Sequence, residues 1–272
     1  MKNIFARAKT IFLAPLLFTL FFFAGCESQE DVAPSNLNQN LAKGISSTYY
    51  GPTTMLWGGT VRTWVEMMNG HPTAMGMEIS EETLQNLPHM PGEYFLKLPG
   101  QLHATGIKAI SIGWNPEGHE PDGVYTLPHF DFHFYMINQN QIMKIAGGLD
   151  EGAYDLMERG VLPATYVFGP APFAVPHMGV HWSDITSPEF SPAGFSKTFI
   201  YGSNQDKVTF FEPMITLAYM QSLMDDMPVW SNIPQLNIVE DPGYYPTSYT
   251  LEYDADRGVY ILALTGLTFR NK

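Results

Sequence analysis

The chain has 272 residues, 45% of them hydrophobic and only 15% charged, with a formal charge of −13. That length admits one large domain or two small ones, and the apolar share suffices for a sizeable core. No cluster of Lys and Arg can neutralise a phosphate backbone, which argues against nucleic acid as a partner. The lone cysteine, Cys26, leaves no internal disulfide.

The first residues read as a targeting segment. Lys2, Arg7 and Lys9 form a positive region with no acid, and Ile11 to Phe23 form an apolar run too short to span a bilayer comfortably. Phe23-Ala24-Gly25-Cys26 resembles a bacterial lipobox, so residues 1–25 are expected to be a lipoprotein signal peptide and Cys26 the lipidated residue. Residues 26–46 then form an anchored, polar tether rich in Asn, Gln and Ser. Glu27, Glu30 and Asp31 in it resemble surface-export signals and serve equally as a solvated linker. The expected location is the bacterial cell envelope, lipid-anchored, on the periplasmic or surface side. The membrane is the first partner, and a second copy of the chain is an admissible one.

Residues 47–272 read as a single β-rich domain. Gly59 to Met67 alternates, Asn69-Gly70 is a hairpin-turn signal, and Ala74 to Ile79 returns. Ser80 suits the N-cap of a short helix over Glu81 to Asn86. Glu93 to Leu98 and Ile107 to Trp114 read as strands, followed by a loop from Asn115 to Gly123 that carries His119. A helix over Asp150 to Arg159 and a strand over Thr165 to Phe168 come next. Thr198 to Tyr201 and Val208 to Phe211 flank a hairpin loop, with Glu212-Pro213 closing the second strand. Thr216 can cap a helix to about Met224, and Ser248 to Tyr253 with Val259 to Leu264 form a last hairpin. Parallel βαβ spacing is absent, so the fold class is mainly β, an antiparallel barrel or sandwich with a few short helices.

Two stretches carry the chemistry. Pro128-His129-Phe130-Asp131-Phe132-His133-Phe134-Tyr135 alternates without a slip, with Phe130, Phe132 and Phe134 on one parity and His129, Asp131, His133 and Tyr135 on the other. Pro176-His177-Met178-Gly179-Val180-His181-Trp182 repeats the pattern of Pro, then two His four positions apart. Parity predicts that His129, Asp131, His133, His177 and His181 all face one shared interior pocket, with Met178, Val180 and Trp182 on the opposite side. Along an ideal strand, neighbours on one face are about 6.6 Å apart and i, i+4 residues about 13 Å. One ion therefore suits Asp131 with one adjacent His better than His129 with His133.

These blocks, with Gly59-Thr-Val-Arg-Thr-Trp-Val65, Trp114-Asn-Pro-Glu-Gly-His119, Thr198-Phe-Ile-Tyr-Gly202 and Phe211-Glu-Pro-Met-Ile-Thr216, resemble the TTHB-like domain family of exported bacterial proteins of unknown function. The resemblance runs from about residue 50 to the C-terminus and implies domain boundaries rather than a reaction. A fainter echo of cupins is carried by Gly123 and His129, but Asp131 stands where cupins have the second His of His-x-His, and the second cupin motif is missing.

The candidate metal ligands are His129, Asp131, His133, His177, His181 and Glu212, with His119 and Tyr135 as supporting residues. Imidazole and carboxylate without thiol suit a divalent transition metal such as zinc, iron or manganese. Glu212 can serve as ligand or general base, and Tyr135 as a hydrogen-bond donor. Three functions fit: a metal- or small-ligand-binding envelope lipoprotein, a metal-dependent hydrolase or oxygenase on the same site, or a structural lipoprotein whose His and Asp only hydrogen-bond one another. His71, His89 and His103 sit in turn-like contexts and read as surface residues, and the methionines as core filler. No Gly-x-Ser-x-Gly elbow, P-loop or dinucleotide fingerprint is present.

Overall fold

In chain order the strands are β1 (Ser46–Tyr50), β2 (Thr54–Leu56), β3 (Gly59–Met68), β4 (His71–Ser80), β5 (Gly92–Phe95), β6 (Ala109–Asn115), β7 (His129–Tyr135), β8 (Gly148–Leu149), β9 (Tyr166–Val167), β10 (Phe173–Ala174), β11 (Val180–Asp184), β12 (Lys197–Asn204), β13 (Lys207–Thr216), β14 (Val229–Asn232), β15 (Gly243–Tyr245), β16 (Ser248–Asp254), β17 (Val259–Thr265) and β18 (Thr268–Arg270). The α-helices are short: α1 (Glu81–Gln85), α2 (Gln139–Ile142), α3 (Gly152–Glu158) and α4 (Leu217–Gln221). This computed structural model describes residues 45–225 and 227–271. The expected signal segment, Cys26 and all but the last two residues of the expected tether lie outside them. Ser46, assigned to the tether by composition, already pairs with Met68.

Two antiparallel sheets carry the fold. The first runs β1-β3-β4-β17-β16-β14, with β2 also on β3; the second runs β5-β6-β7-β13-β12-β11-β9. Neither closes on itself, so the architecture is a sandwich rather than a barrel. Their inner faces share one core, to which the first sheet contributes Val61, Val65, Met75, Met77 and Ile79, and the second Ile110, Ile112, Phe130, Phe132 and Phe134. Burying each of those phenylalanines contributes about 1.5–3 kcal/mol relative to leaving it in water.

Local chemistry explains the connections. Asn69 and Gly70 both take positive φ, 52° and 81°, the geometry of a two-residue hairpin turn between β3 and β4. Thr216 Oγ1 accepts the Tyr219 N–H at 3.2 Å and caps α4 as expected. Ser80 stands at the N-cap of α1 as expected, but its side chain makes no capping bond; its hydroxyl instead accepts the Thr60 N–H at 3.0 Å, tying the helix start to β3. Glu212-Pro213 does not close β13. Pro213 pairs with Phe199 on β12, and pairing with β7 resumes at Met214↔Asp131 in the same register after a gap where proline has no N–H to give. That continuation seats Glu212 in the middle of the second sheet.

Candidate metal centre

β7 is central in the second sheet, between β6 and β13. Its phenylalanines fill the inter-sheet core, so His129, Asp131, His133 and Tyr135 occupy the outer face. That face is covered, because His129 and His133 have no exposure and Asp131 has 6%. Two small apolar clusters flank the polar band. Tyr125, Phe195, Ile200 and Met214 lie at one end, and Ala109, Tyr135, Ile142 and Phe210 at the other.

The loop between β6 and β7 supplies His119. Gly118 takes φ 71°, and a Cβ there would come within 2.2 Å of the Tyr125 carbonyl oxygen, so only glycine lets the loop fold back on itself. The His119 N–H donates to Tyr125 O at 2.9 Å, and the two rings lie 5.7 Å apart. His119 thereby reaches the sheet at the level of His129, with ring centroids 4.7 Å apart.

His119, His129 and Asp131 form a group that could hold a metal ion. His119 Nδ1 lies 2.6 Å from Glu120 O, and His129 Nδ1 lies 2.7 Å from Leu127 O. A carbonyl oxygen only accepts, so each Nδ1 carries the proton and donates. In the neutral ring Nε2 then carries the lone pair, which at His129 accepts from Asn115 Nδ2 at 3.4 Å, and both Nε2 atoms face Asp131: His129 at 3.1 Å from Oδ1, His119 at 3.7 Å from Oδ2. Lone pairs aimed at a carboxylate repel it unless a cation lies between them. Asn115 Nδ2 donates to Oδ2 at 2.7 Å, while Oδ1 is buried without a hydrogen-bond partner among the described residues. Tetrahedral ligands on zinc stand about 3.3–3.6 Å from one another, given metal–ligand bonds of about 2.0–2.2 Å. The observed separations bracket that value.

His133, His181 and Glu212 form a second such group. His133 Nε2 is 3.5 Å from Glu212 Oε1, and His181 Nε2 is 3.4 Å from Glu212 Oε2. Behind His133, Nδ1 stands 3.1 Å from Glu93 Oε1, and Glu93 is also held by the Ser111 hydroxyl. Tyr135 stacks on His133 at 5.3 Å with rings 8° from parallel; its buried hydroxyl has no hydrogen-bond partner among the described residues.

The electrostatics follow from burial against charge. Burial disfavours the charge on Asp131, but contact with His119 and His129 overcomes it and holds the carboxyl well below its usual range. Burial likewise opposes the His119 imidazolium, and Asp131 outweighs it, raising His119 to about 9. His133 is raised to about 9 because Glu212 and Glu93 outweigh its burial, while burial pushes Glu212 up to about 8. His181 goes the other way, to about 3, through burial and the neighbouring charge of His133. Without an ion, both groups hold on to protons, which supply the missing positive charge.

The second His stretch departs from the parity expectation. His177 is exposed, with φ 61°, and its N–H donates to Ile145 O at 2.9 Å. It belongs to neither group among the described residues. Gly179 at φ 132° breaks the alternation, and a Cβ there would come within 2.1 Å of Ser203 O. Met178 in consequence packs with Tyr135 and Phe210 on the outer face, while Val180 and Trp182 enter the core as expected. His71, His89 and His103 are exposed. Sequence reasoning missed Glu93 and Asn115. Nothing local marks either residue; only the register Glu93↔Gly113↔Asp131 and Asn115↔His129 brings them in.

Comparison of the chain with protein-family models, with curated proteins and with solved structures finds no match.

Proposed function

We propose that this domain binds a divalent transition-metal ion at His119, His129 and Asp131, and that the chain is an envelope lipoprotein anchored through Cys26. One observation carries the metal reading. Two imidazoles, each with Nδ1 tied to a carbonyl, direct Nε2 at the same buried carboxylate. Two nitrogens and one carboxylate, with no thiol, suit zinc, iron or manganese. The resemblance to exported bacterial proteins and the lipobox-like Phe23 to Cys26 support the envelope location.

A metalloenzyme on the same residues is the second reading. The His119 side chain is 40% exposed, so this group borders solvent. Such an edge suits an open coordination position, and a metal held there would supply a water of lowered pKa. The chain's own part would be to orient: carbonyls fix the two imidazoles, and Asn115 fixes Asp131.

The test is element analysis of the full chain purified without chelators, beside Asp131→Asn and His119→Ala. At least one equivalent of zinc, iron or manganese is expected in the parent chain. Each variant should lose one equivalent of bound metal relative to the parent chain and keep its circular dichroism. A parent chain that purifies without metal and gains no thermal stability from Zn²⁺, Mn²⁺ or Fe²⁺ would leave only the hydrogen-bonded structural network. Mass spectrometry of the membrane fraction tests the anchor, which an unmodified Cys26 would refute.

A further inference from the structure

Gly113 on β6 pairs with both Glu93 and Asp131. A Cβ at 113 would lie 2.6 Å from Glu93 Oε2 and 3.2 Å from Asp131 Cβ, so glycine leaves room between the two groups. Beyond that gap the His133 group is built like the first but is more enclosed. The side chains of His133 and Glu212 are 0% and 2% exposed, and that of His181 25%. Its residues come from separate strands of the second sheet, with His133 on β7, His181 on β11 and Glu212 on β13. Glu93 on β5 stands behind His133.

Phe210 walls the group. Its ring lies 5.1 Å from His133 and 5.2 Å from His181. It reaches that position because residue 202 is glycine, where a Cβ would fall 1.9 Å from the ring. Inside this wall, both ring nitrogens of His133 and Oε2 of Glu212 are buried without a hydrogen-bond partner among the described residues. The nitrogen–oxygen separations are 3.4 and 3.5 Å, yet none is aligned as a hydrogen bond. Ligands around a common ion stand at such distances and point at the ion rather than at each other. A carboxylate behind a metal-bound imidazole is a recurrent arrangement, because it fixes the ring and strengthens the donor nitrogen. Glu93 stands there, 3.1 Å from Nδ1.

We propose that His133, His181 and Glu212 hold a second divalent transition-metal ion, with Glu93 as a positioning residue for His133. The outer face of the second sheet is then a two-site face: an open site at His119 and an enclosed one under Phe210. The enclosed ion exchanges more slowly, because Phe210 and the sheet shield it from solvent. This inference does not rest on the His119 site, and either can fail alone.

The experiment loads the full chain with Zn²⁺, removes loosely bound ion with a weak chelator, and counts zinc per chain. Parallel samples carry His119→Ala or His181→Ala, both substituted at partly exposed rings. Co²⁺-loaded samples are read by visible absorption, which separates two coordination environments. Two equivalents in the parent chain, one in each variant, and loss of a different Co²⁺ band set in each are expected. One equivalent that His181→Ala retains and His119→Ala loses would overturn the second site and leave the first. One equivalent lost only in His181→Ala would support the second site and overturn the first. No bound zinc would overturn both. Should His181→Ala fail to fold, Glu212→Gln keeps the side-chain volume and is read the same way: retention of both equivalents contradicts the proposal.

Discussion

The two histidine stretches look alike in sequence and behave differently in the fold. β7 keeps strict alternation over Pro128 to Tyr135 and is buried on both faces. Residues 176–179 precede β11 in a turn, with His177 and Gly179 at positive φ, and only from Val180 does alternation begin. A period of two thus assigns faces only along a continuous strand. One glycine in the left-handed region resets the parity of all that precedes it. His181 therefore joins the site and His177 does not.

The sharpest contrast is thermodynamic. Phe132→Ala on β7 should destabilise the domain by about 3–5 kcal/mol, because it removes a ring with no exposure and leaves a cavity. Urea unfolding measures it. A loss under 1 kcal/mol would mean that β7 does not hold the sandwich together.

Gly202→Ala should come next, at about 1–3 kcal/mol, because the added methyl overlaps the Phe210 ring. It should also disturb the His133 group more than the His119 group, which Co²⁺ absorption would separate. Equal disturbance of both would argue against Phe210 as a wall specific to the second group.

A third prediction concerns pH. In the metal-free protein His119 and His133 are raised to about 9, so both carry a proton at neutral pH. Their contribution to metal-free stability is present below the unfolded His value of about 6.5 and is lost as pH rises through about 9. Asp131 acts oppositely: lowered in the fold, its contribution is present above the unfolded value of about 4 and is lost as pH falls. An ion must displace the imidazolium protons, so metal affinity should climb from neutral pH toward 9, with protons released on binding. Calorimetry in buffers of different ionisation enthalpy reads that release. Uptake with no proton release at pH 7 would contradict the assignment of these imidazoles as ligands.

The smallest effect belongs to His177. His177→Ala should change stability by less than about 0.5 kcal/mol, since the side chain is exposed, and should leave metal content untouched. Metal loss in that variant would restore it to the site.

Much of the fold was legible because it rests on short-range signals: alternation in β3 and β7, Asn69-Gly70 between strands, Thr216 before α4. The break at Gly179 was not legible, because its cause is the close approach of Ser203 O from another strand. Pro213 misled for a related reason. Local chemistry says that proline ends a strand, but β13 tolerates it with an interrupted ladder. Within the site, β7 announced its own residues and Glu212 was a candidate by charge. His119 was named as a supporting residue because its loop leads into β7, whereas the structure groups it with His129 and Asp131. Glu93 and Asn115 depend on long-range register, which no window of sequence contains.

His119, His129 and Asp131 are proposed to share one ion. Anomalous diffraction from crystals grown with Zn²⁺, recorded on both sides of the zinc edge, tests it most directly. A zinc peak is expected about 2.0–2.2 Å from His119 Nε2, His129 Nε2 and an Asp131 oxygen. Zinc bound only elsewhere on the chain, with the two imidazoles and Asp131 joined by hydrogen bonds alone, would contradict it.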